Sequence, residues 1–240
     1  MYEPRSYRVW SADRDLVPFH VVVRETDLYI RAERDLTGRA HEVVIEERAQ
    51  LEGYIQRHPG FATAMEPFTV EDGAPALVRE MAAAAAEAGV GPMAAVAGAI
   101  AERVGRQLLE LSPQVVVENG GDIFLVSHKK RLVGIHTGRP PFEGRLALEI
   151  DPEDTPVGVC TSSGTVGHSL SLGTADAVVT LARNTALADA AATATGNLVR
   201  TEADTERWLA FTRAITGISG VVIVKNDRLA VWGKVQLVQT

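Results

Sequence analysis

The stretch QVVVENGGDIFLVSHKKRLVGI, Gln114 to Ile135, decides how this chain is read. Gln114–Glu118, Asp122–Val126 and Leu132–Ile135 are short runs of Val, Ile, Leu and Phe joined by tight polar connections, the pattern of consecutive strands. Further runs follow at Arg145–Ile150 and Val157–Cys160, expected to extend the same sheet, and Ala177–Leu181 reads as a buried strand. Helical patterns then occupy about Thr185–Gly196 and Asp204–Ile215, before a hairpin of Val221–Val224 and Leu229–Val235 turned at Asn226-Asp227. Upstream, strand-like runs at Tyr7–Trp10, Val17–Val23 and Leu28–Ile30, with a turn at Glu25-Thr26-Asp27, precede a helix from Thr37 to about Arg57. Thr37 is its expected cap, and His58-Pro59-Gly60 stops it. Two alanine-rich helices come next. Leu77, Met81, Ala84 and Ala88 share a face of the first. In the second, Pro92 lies near the start and Val96, Ile100, Val104, Leu108 and Leu111 form a stripe opposite Glu102, Arg103, Arg106 and Glu110. Hairpins alternating with blocks of helix predict an α+β fold of mixed or antiparallel sheets packed with helices.

The chain has 240 residues, 46% of them hydrophobic and 23% charged, which excludes a disordered, collagen-like or coiled-coil protein. No linker composition marks a boundary. One domain over 1–240 is expected, with two intimately packed halves meeting near residue 113 as the alternative. The net charge of −7, with no basic run longer than Lys129-Lys130-Arg131, argues against a nucleic-acid partner. Cys160 is the single cysteine, expected to be buried and inert, and no disulfide framework exists. The start MYEPRSYRVW lacks an apolar signal core, which predicts a cytoplasmic protein. Met81–Ala101 is broken by Glu87 and Gly91-Pro92, so no membrane span is expected.

Several familiar motifs fail. Gly89-Val90-Gly91 follows a helix, where a dinucleotide fingerprint needs a strand; Ser162-Ser163-Gly164 lacks a phosphate-loop lysine; no serine sits in a nucleophile elbow. Three segments remain. In Asn119-Gly120-Gly121-Asp122 two glycines permit positive φ and close backbone approach to a ligand, and a plain hairpin turn of type I′ explains the same residues. Thr161-Ser162-Ser163-Gly164-Thr165, with Val166-Gly167-His168, offers hydroxyls and backbone N–H groups suited to phosphate, and His168 can carry a proton; a solvated loop is the alternative. On the third segment, Asp189 and Thr193 share a helix face and could ligate Mg²⁺ if phosphates complete the shell. Alternatively, Asp189 serves the helix start near Thr185 and Thr193 bonds back to a carbonyl.

In this order the three segments resemble the bacterial FMN transferases of the ApbE family, with their N-x-G-G-D turn, T-S-G loop with a following histidine, and A-D-A-x-A-T helix. Leu132-Val133-Gly134-Ile135 and Val178-Val179-Thr180-Leu181 resemble two further strands of that family, and the likeness spans about residues 92–197. The resemblance implies an α+β protein that binds FAD with Mg²⁺ and transfers FMN to a partner flavoprotein, releasing AMP. It implies Asp189 and Thr193 as metal ligands, Asn119–Asp122 and Thr161–Thr165 as cofactor-binding residues, and His168 beside the phosphates. Where the family has K-G-Y this chain reads Ala97-Gly98-Ala99, and the carboxylate expected after the histidine is absent from Ser169–Gly173. Cleavage of the anhydride by water, and a non-catalytic flavin-, nucleotide- or metal-binding accessory protein, are the other functions these residues accommodate. Oligomeric state is left open.

Overall fold

The computed structural model describes residues 15–165, 172–201 and 205–239. Strands β1 (Val17–Val23) and β2 (Thr26–Ala32) lead into helices α1 (Thr37–Arg57), α2 (Gly60–Thr63) and α3 (Ala76–Ala88). A 3₁₀ turn at Pro92–Ala95 then opens α4 (Val96–Leu108). Strands β3 (Val115–Asn119), β4 (Asp122–Val126), β5 (Arg131–Gly134), β6 (Leu146–Ile150), β7 (Val157–Ser162) and β8 (Ala177–Ala182) follow. Next come α5 (Thr185–Leu198), α6 (Thr205–Ala214), β9 (Ile218–Lys225), β10 (Arg228–Gly233) and β11 (Leu237–Gln239). The protein is α+β. Eight strands form one antiparallel sheet in the order β1-β2-β3-β4-β7-β8-β9-β10, and β11-β6-β5 form a second. Strands from both sides of position 113 lie side by side in the large sheet.

Helices α1, α3, α4 and α5 cover one face of the large sheet through a continuous apolar core that includes Leu28, Ile30, Leu77, Met81, Val104 and Phe124. The small sheet covers the other face over β4, β7, β8 and β9, where Leu148 and Ile150 meet Leu125, Val159 and Val222. α6 seals the far end with Trp208 against Val178, Val221 and Ile223. Alternation puts opposite faces of each strand into these two cores.

Several details differ from the sequence reading. β5 and β6 do not extend the large sheet; β4 pairs with β7 instead. The chain leaves the sheet at a buried polar knot. Arg131, 3% exposed, donates to Asp15 at 2.8 Å, Ser127 Oγ at 2.7 Å and Gln114 Oε1 at 3.2 Å. A local pattern cannot show this, because the whole β3–β4 hairpin lies between Gln114, just before β3, and Arg131, the first residue of β5. Thr37 does not cap α1; it donates its own N–H and hydroxyl to Asp35. The first turn is tighter than expected, with Arg24 at φ 54° and both Thr26 and Asp27 already in β2. Glu102, expected on the solvent side of α4, is 9% exposed and faces α5, whereas Leu111 is exposed. Among the described residues no single helix is long and apolar enough to cross a membrane, and α3 and the Pro92–Leu108 segment meet at 103°.

Candidate functional site

The β3–β4 hairpin has a two-residue loop, since Asn119 pairs with Asp122. Gly120 at φ 71° and Gly121 at φ 112° occupy it, so both glycines are required by a type I′-like turn. The turn and the polar tips are not exclusive. Paired residues share a face of a sheet, so Asn119 and Asp122 point together toward the helices. The register continues the row. Leu28 lies opposite Asn119, Cys160 lies opposite Asp122 one step beyond the Ile123–Val159 pair, and Thr180 lies opposite Cys160. Four consecutive strands thus carry Asn119, Asp122, Cys160 and Thr180 in line, under α5.

α5 meets this row through polar contacts. Thr180 Oγ1 donates to the Ala188 carbonyl at 2.6 Å, and the Cys160 thiol to the Thr185 carbonyl at 3.4 Å. Asp189 projects toward the start of α4, where its Oδ2 accepts the Gly98 N–H at 2.8 Å and the Ala97 N–H also reaches it. Asp189 therefore serves a helix start, but that of α4. The start of α5 is held by Asn184, which accepts the Leu187 N–H at 2.8 Å, and by Glu102, which accepts the Thr185 N–H at 2.6 Å. A Cβ at Gly98 would come 2.4 Å from the Thr185 carbonyl oxygen and 2.8 Å from Asp189 Cβ, so only glycine allows the two helices this close. Asn119 Nδ2 donates to the Ala97 carbonyl at 3.1 Å, closing the ring of contacts.

Burial and mutual repulsion shape the two carboxylates. Burial pushes Asp122 up to about 7, with the charge of Glu118 adding to it, while the Cys160 thiol and the Thr161 N–H hold it back. Burial and then the charge of Asp122 push Asp189 well above the usual carboxylate range, against the pull of the Gly98 and Ala97 N–H groups. Burial, followed by both carboxylates, raises the Cys160 thiol, so it is a donor and no nucleophile. An ionised carboxylate can accept about four hydrogen bonds; Asp189 receives two backbone N–H groups, and Asp122 receives the Thr161 N–H and a share of the one Cys160 S–H that also faces the Thr185 carbonyl, all neutral donors. Among the described residues neither has a cationic partner. Two facing acids that lack a counter-charge fit a hard cation. No group of three or more His, Cys, Asp or Glu among the described residues could enclose a metal, so further oxygens would have to come from a ligand.

The remaining candidates are distributed around this pair. The Thr161 N–H donates to Asp122 Oδ1 at 3.3 Å. Ser162 is buried against α5, where a Cβ at Gly196 would lie 3.2 Å from its hydroxyl. Ser163, Gly164 and Thr165 turn away from the carboxylates: Gly164 N–H bonds to the Ala175 carbonyl at 2.9 Å, Ser163 Oγ accepts the Thr165 N–H, and Thr165 Oγ1 donates to Asp176 at 3.3 Å. Thr193 is half-buried, one turn along α5 from Asp189. His168 lies outside the described residues. Asn119 and Ala97 also border a recess of about 340 Å³, walled by Leu51, Ile55, Met93, Val96 and Ile100 with Arg48 at its rim. Sequence reasoning named Ala97 and Gly98 only as the place of the family's K-G-Y motif and put Glu102 on the polar side of its helix, and it missed their contacts with Asp189 and Thr185. A glycine inside an otherwise regular helix, costing about 1 kcal/mol against alanine, was the available signal.

A family model described as AbpE bacteria matches residues 8–214. A UPF0280 protein of Methanocella arvoryzae is 40% identical over 213 residues, covering 88% of this chain and 86% of that protein. One from Methanocaldococcus jannaschii is 39% identical over 227 residues, 92% of each chain. Among solved structures, the apo form of the Pseudomonas stutzeri flavinyl transferase ApbE aligns with a TM-score of 0.58 over 91% of this chain and 94% of its own, at 15% identity. The chain therefore belongs to the family described as AbpE bacteria, is a relative of the UPF0280 proteins, and has the fold of an ApbE flavinyl transferase.

Proposed function

We propose that this protein binds FAD or a related nucleotide diphosphate together with Mg²⁺ at the Asp122–Asp189 pair, and transfers FMN to a hydroxyl of a partner protein. The observation that carries the reading is the pair itself: two buried acids on facing elements with only neutral donors around them. Bound there, the cation would draw charge from the anhydride oxygens as the phosphorus is attacked. The protein's part is positioning. Asp122 and Asp189 supply hard oxygens, and Thr193 adds a neutral one on the same helix face. The Gly120-Gly121 turn lets a diphosphate approach the backbone without side-chain obstruction. The recess beside Asn119, near the lower end of ligand-pocket volumes of about 300–1,000 Å³, takes a planar ring of the nucleotide. Thr161 and Ser162, the part of the hydroxyl loop nearest the pair, border the phosphates, and His168 takes the proton of the attacking hydroxyl.

Incubation of the protein with FAD, with Mg²⁺ or with EDTA, tests this by chromatography of released AMP and by melting temperature. Mg²⁺-dependent stabilisation by FAD is expected, with AMP release that is slow in isolation and lost in His168→Ala. Where the family has lysine this chain has Ala97, and removing one electrostatic donor typically costs about 10²–10³ in rate. Stabilisation with no AMP under any acceptor condition would leave a binding protein, and no stabilisation would reject the site.

A further inference from the structure

Helices α4 and α5 cap each other. From α4, Glu102 Oε2 accepts the N–H of Thr185, the first residue of α5. From α5, Asp189 accepts the N–H of Gly98, in the first turn of α4. Both pairs are four residues apart, Gly98 to Glu102 and Thr185 to Asp189, so each helix uses one face to give and to receive. The seat is tight on every side. A Cβ at Gly158 would stand 2.5 Å from Thr185 Cα, and one at Gly98 would stand 2.4 Å from the Thr185 carbonyl oxygen. Glu102 is itself held. Its Oε1 accepts from Arg106 Nε at 2.8 Å, and the Arg106 side chain is 56% exposed while that of Glu102 is 11% exposed.

We infer that Glu102, held by Arg106, is a positioning residue that fixes Asp189 for ligand binding by anchoring the start of α5 to α4. This rests on the reading of Asp122 and Asp189 as the cation-binding pair. Glu102 touches neither the pair nor the recess; it acts through one backbone N–H, a single helical turn before Asp189. Ordinary capping residues sit on their own helix. A cap supplied from a second helix fixes the distance between helices as well as the helix end. Groups behind a metal ligand commonly set affinity by about 10–100-fold when removed.

The test is calorimetric titration of FAD into the full-length protein in saturating Mg²⁺, with the melting temperature recorded in EDTA. Glu102→Ala should weaken Mg²⁺-dependent FAD binding about tenfold. Glu102→Gln keeps one acceptor, for the Thr185 N–H, and gives up the one that meets Arg106, so it should fall between Glu102→Ala and the wild type. Arg106→Ala removes the same hold and should match Glu102→Gln, and it decides the matter if Glu102→Ala does not fold. A purely structural role lowers the EDTA melting temperature in these variants and leaves the affinity of the folded protein unchanged; that outcome overturns the inference while the Asp122–Asp189 reading stands. Absence of Mg²⁺-dependent binding in the wild type overturns both.

Discussion

Two buried polar clusters in this protein are built in opposite ways. The knot at the end of β4 gathers Arg131, Gln114, Ser127 and Asp15, and its charges match: the guanidinium meets a carboxylate, and Lys129 approaches the same Asp15 at 3.1 Å. Arg131 and Lys129 hold the Asp15 carboxyl well below the usual carboxylate range. The row under α5 gathers Asp122, Asp189 and Cys160 with no cation among the described residues, and there the carboxyls are pushed upward. A cluster that only turns the chain can complete its own charge balance. The pair proposed to hold a cation leaves the balance open, at a cost in stability without ligand.

Among the substitutions, the largest loss of stability should come from the closed cluster. Arg131→Ala is expected to destabilise the protein by about 3 kcal/mol in urea unfolding, the low end for breaking a buried pair because Asp15 keeps access to water. Asp122→Asn and Asp189→Asn should do the reverse in the absence of ligand, leaving stability at pH 8 unchanged or raised, while abolishing the Mg²⁺-dependent melting shift with FAD. Destabilised Asn variants that still showed the shift would erase the contrast between the clusters.

A pH titration sharpens the same comparison. Asp122 has a folded-state value of about 7, above its unfolded value near 4, so the folded protein binds the extra proton between them. The Asp122 contribution to stability without ligand should therefore be lost as pH rises from about 4 to about 7, by at most ~1.4 kcal/mol per pH unit, and the raised Asp189 continues the fall beyond it. Subtracting the Asp122→Asn curve gives the contribution of Asp122 together with its effect on Asp189, and a flat difference curve would remove the assignment.

Smaller effects separate packing from chemistry. Gly98→Ala should cost about 1–3 kcal/mol and weaken ligand binding, since its Cβ meets backbone of α5. Gly38→Ala in α1, where nothing lies within 4 Å, should gain up to about 1 kcal/mol in the same unfolding assay. Among the described residues Thr185 Oγ1 is buried without a hydrogen-bond partner, so Thr185→Val should be neutral or slightly stabilising; a loss above about 1 kcal/mol would reveal a partner for that hydroxyl.

Local signals located β1, β4, α1, α5 and the β9–β10 hairpin: runs of β-branched and aromatic residues for the strands, a helical repeat with a Pro-Gly stop for α1, and Asn226-Asp227 at the hairpin turn. The residue chemistry also singled out Asn119, Asp122, Asp189 and Thr193, whose oxygens and flanking glycines or alanines stand out locally. What Asp189 and Glu102 touch was decided only by the tertiary structure. Their partners Gly98 and Thr185 lie 91 and 83 residues away, and no local pattern encodes a contact at that separation. The departure of β5 and β6 from the large sheet is of the same kind: a strand's hydrophobic alternation shows that a face will be buried, while the choice between two sheets depends on which partners the folded chain brings alongside.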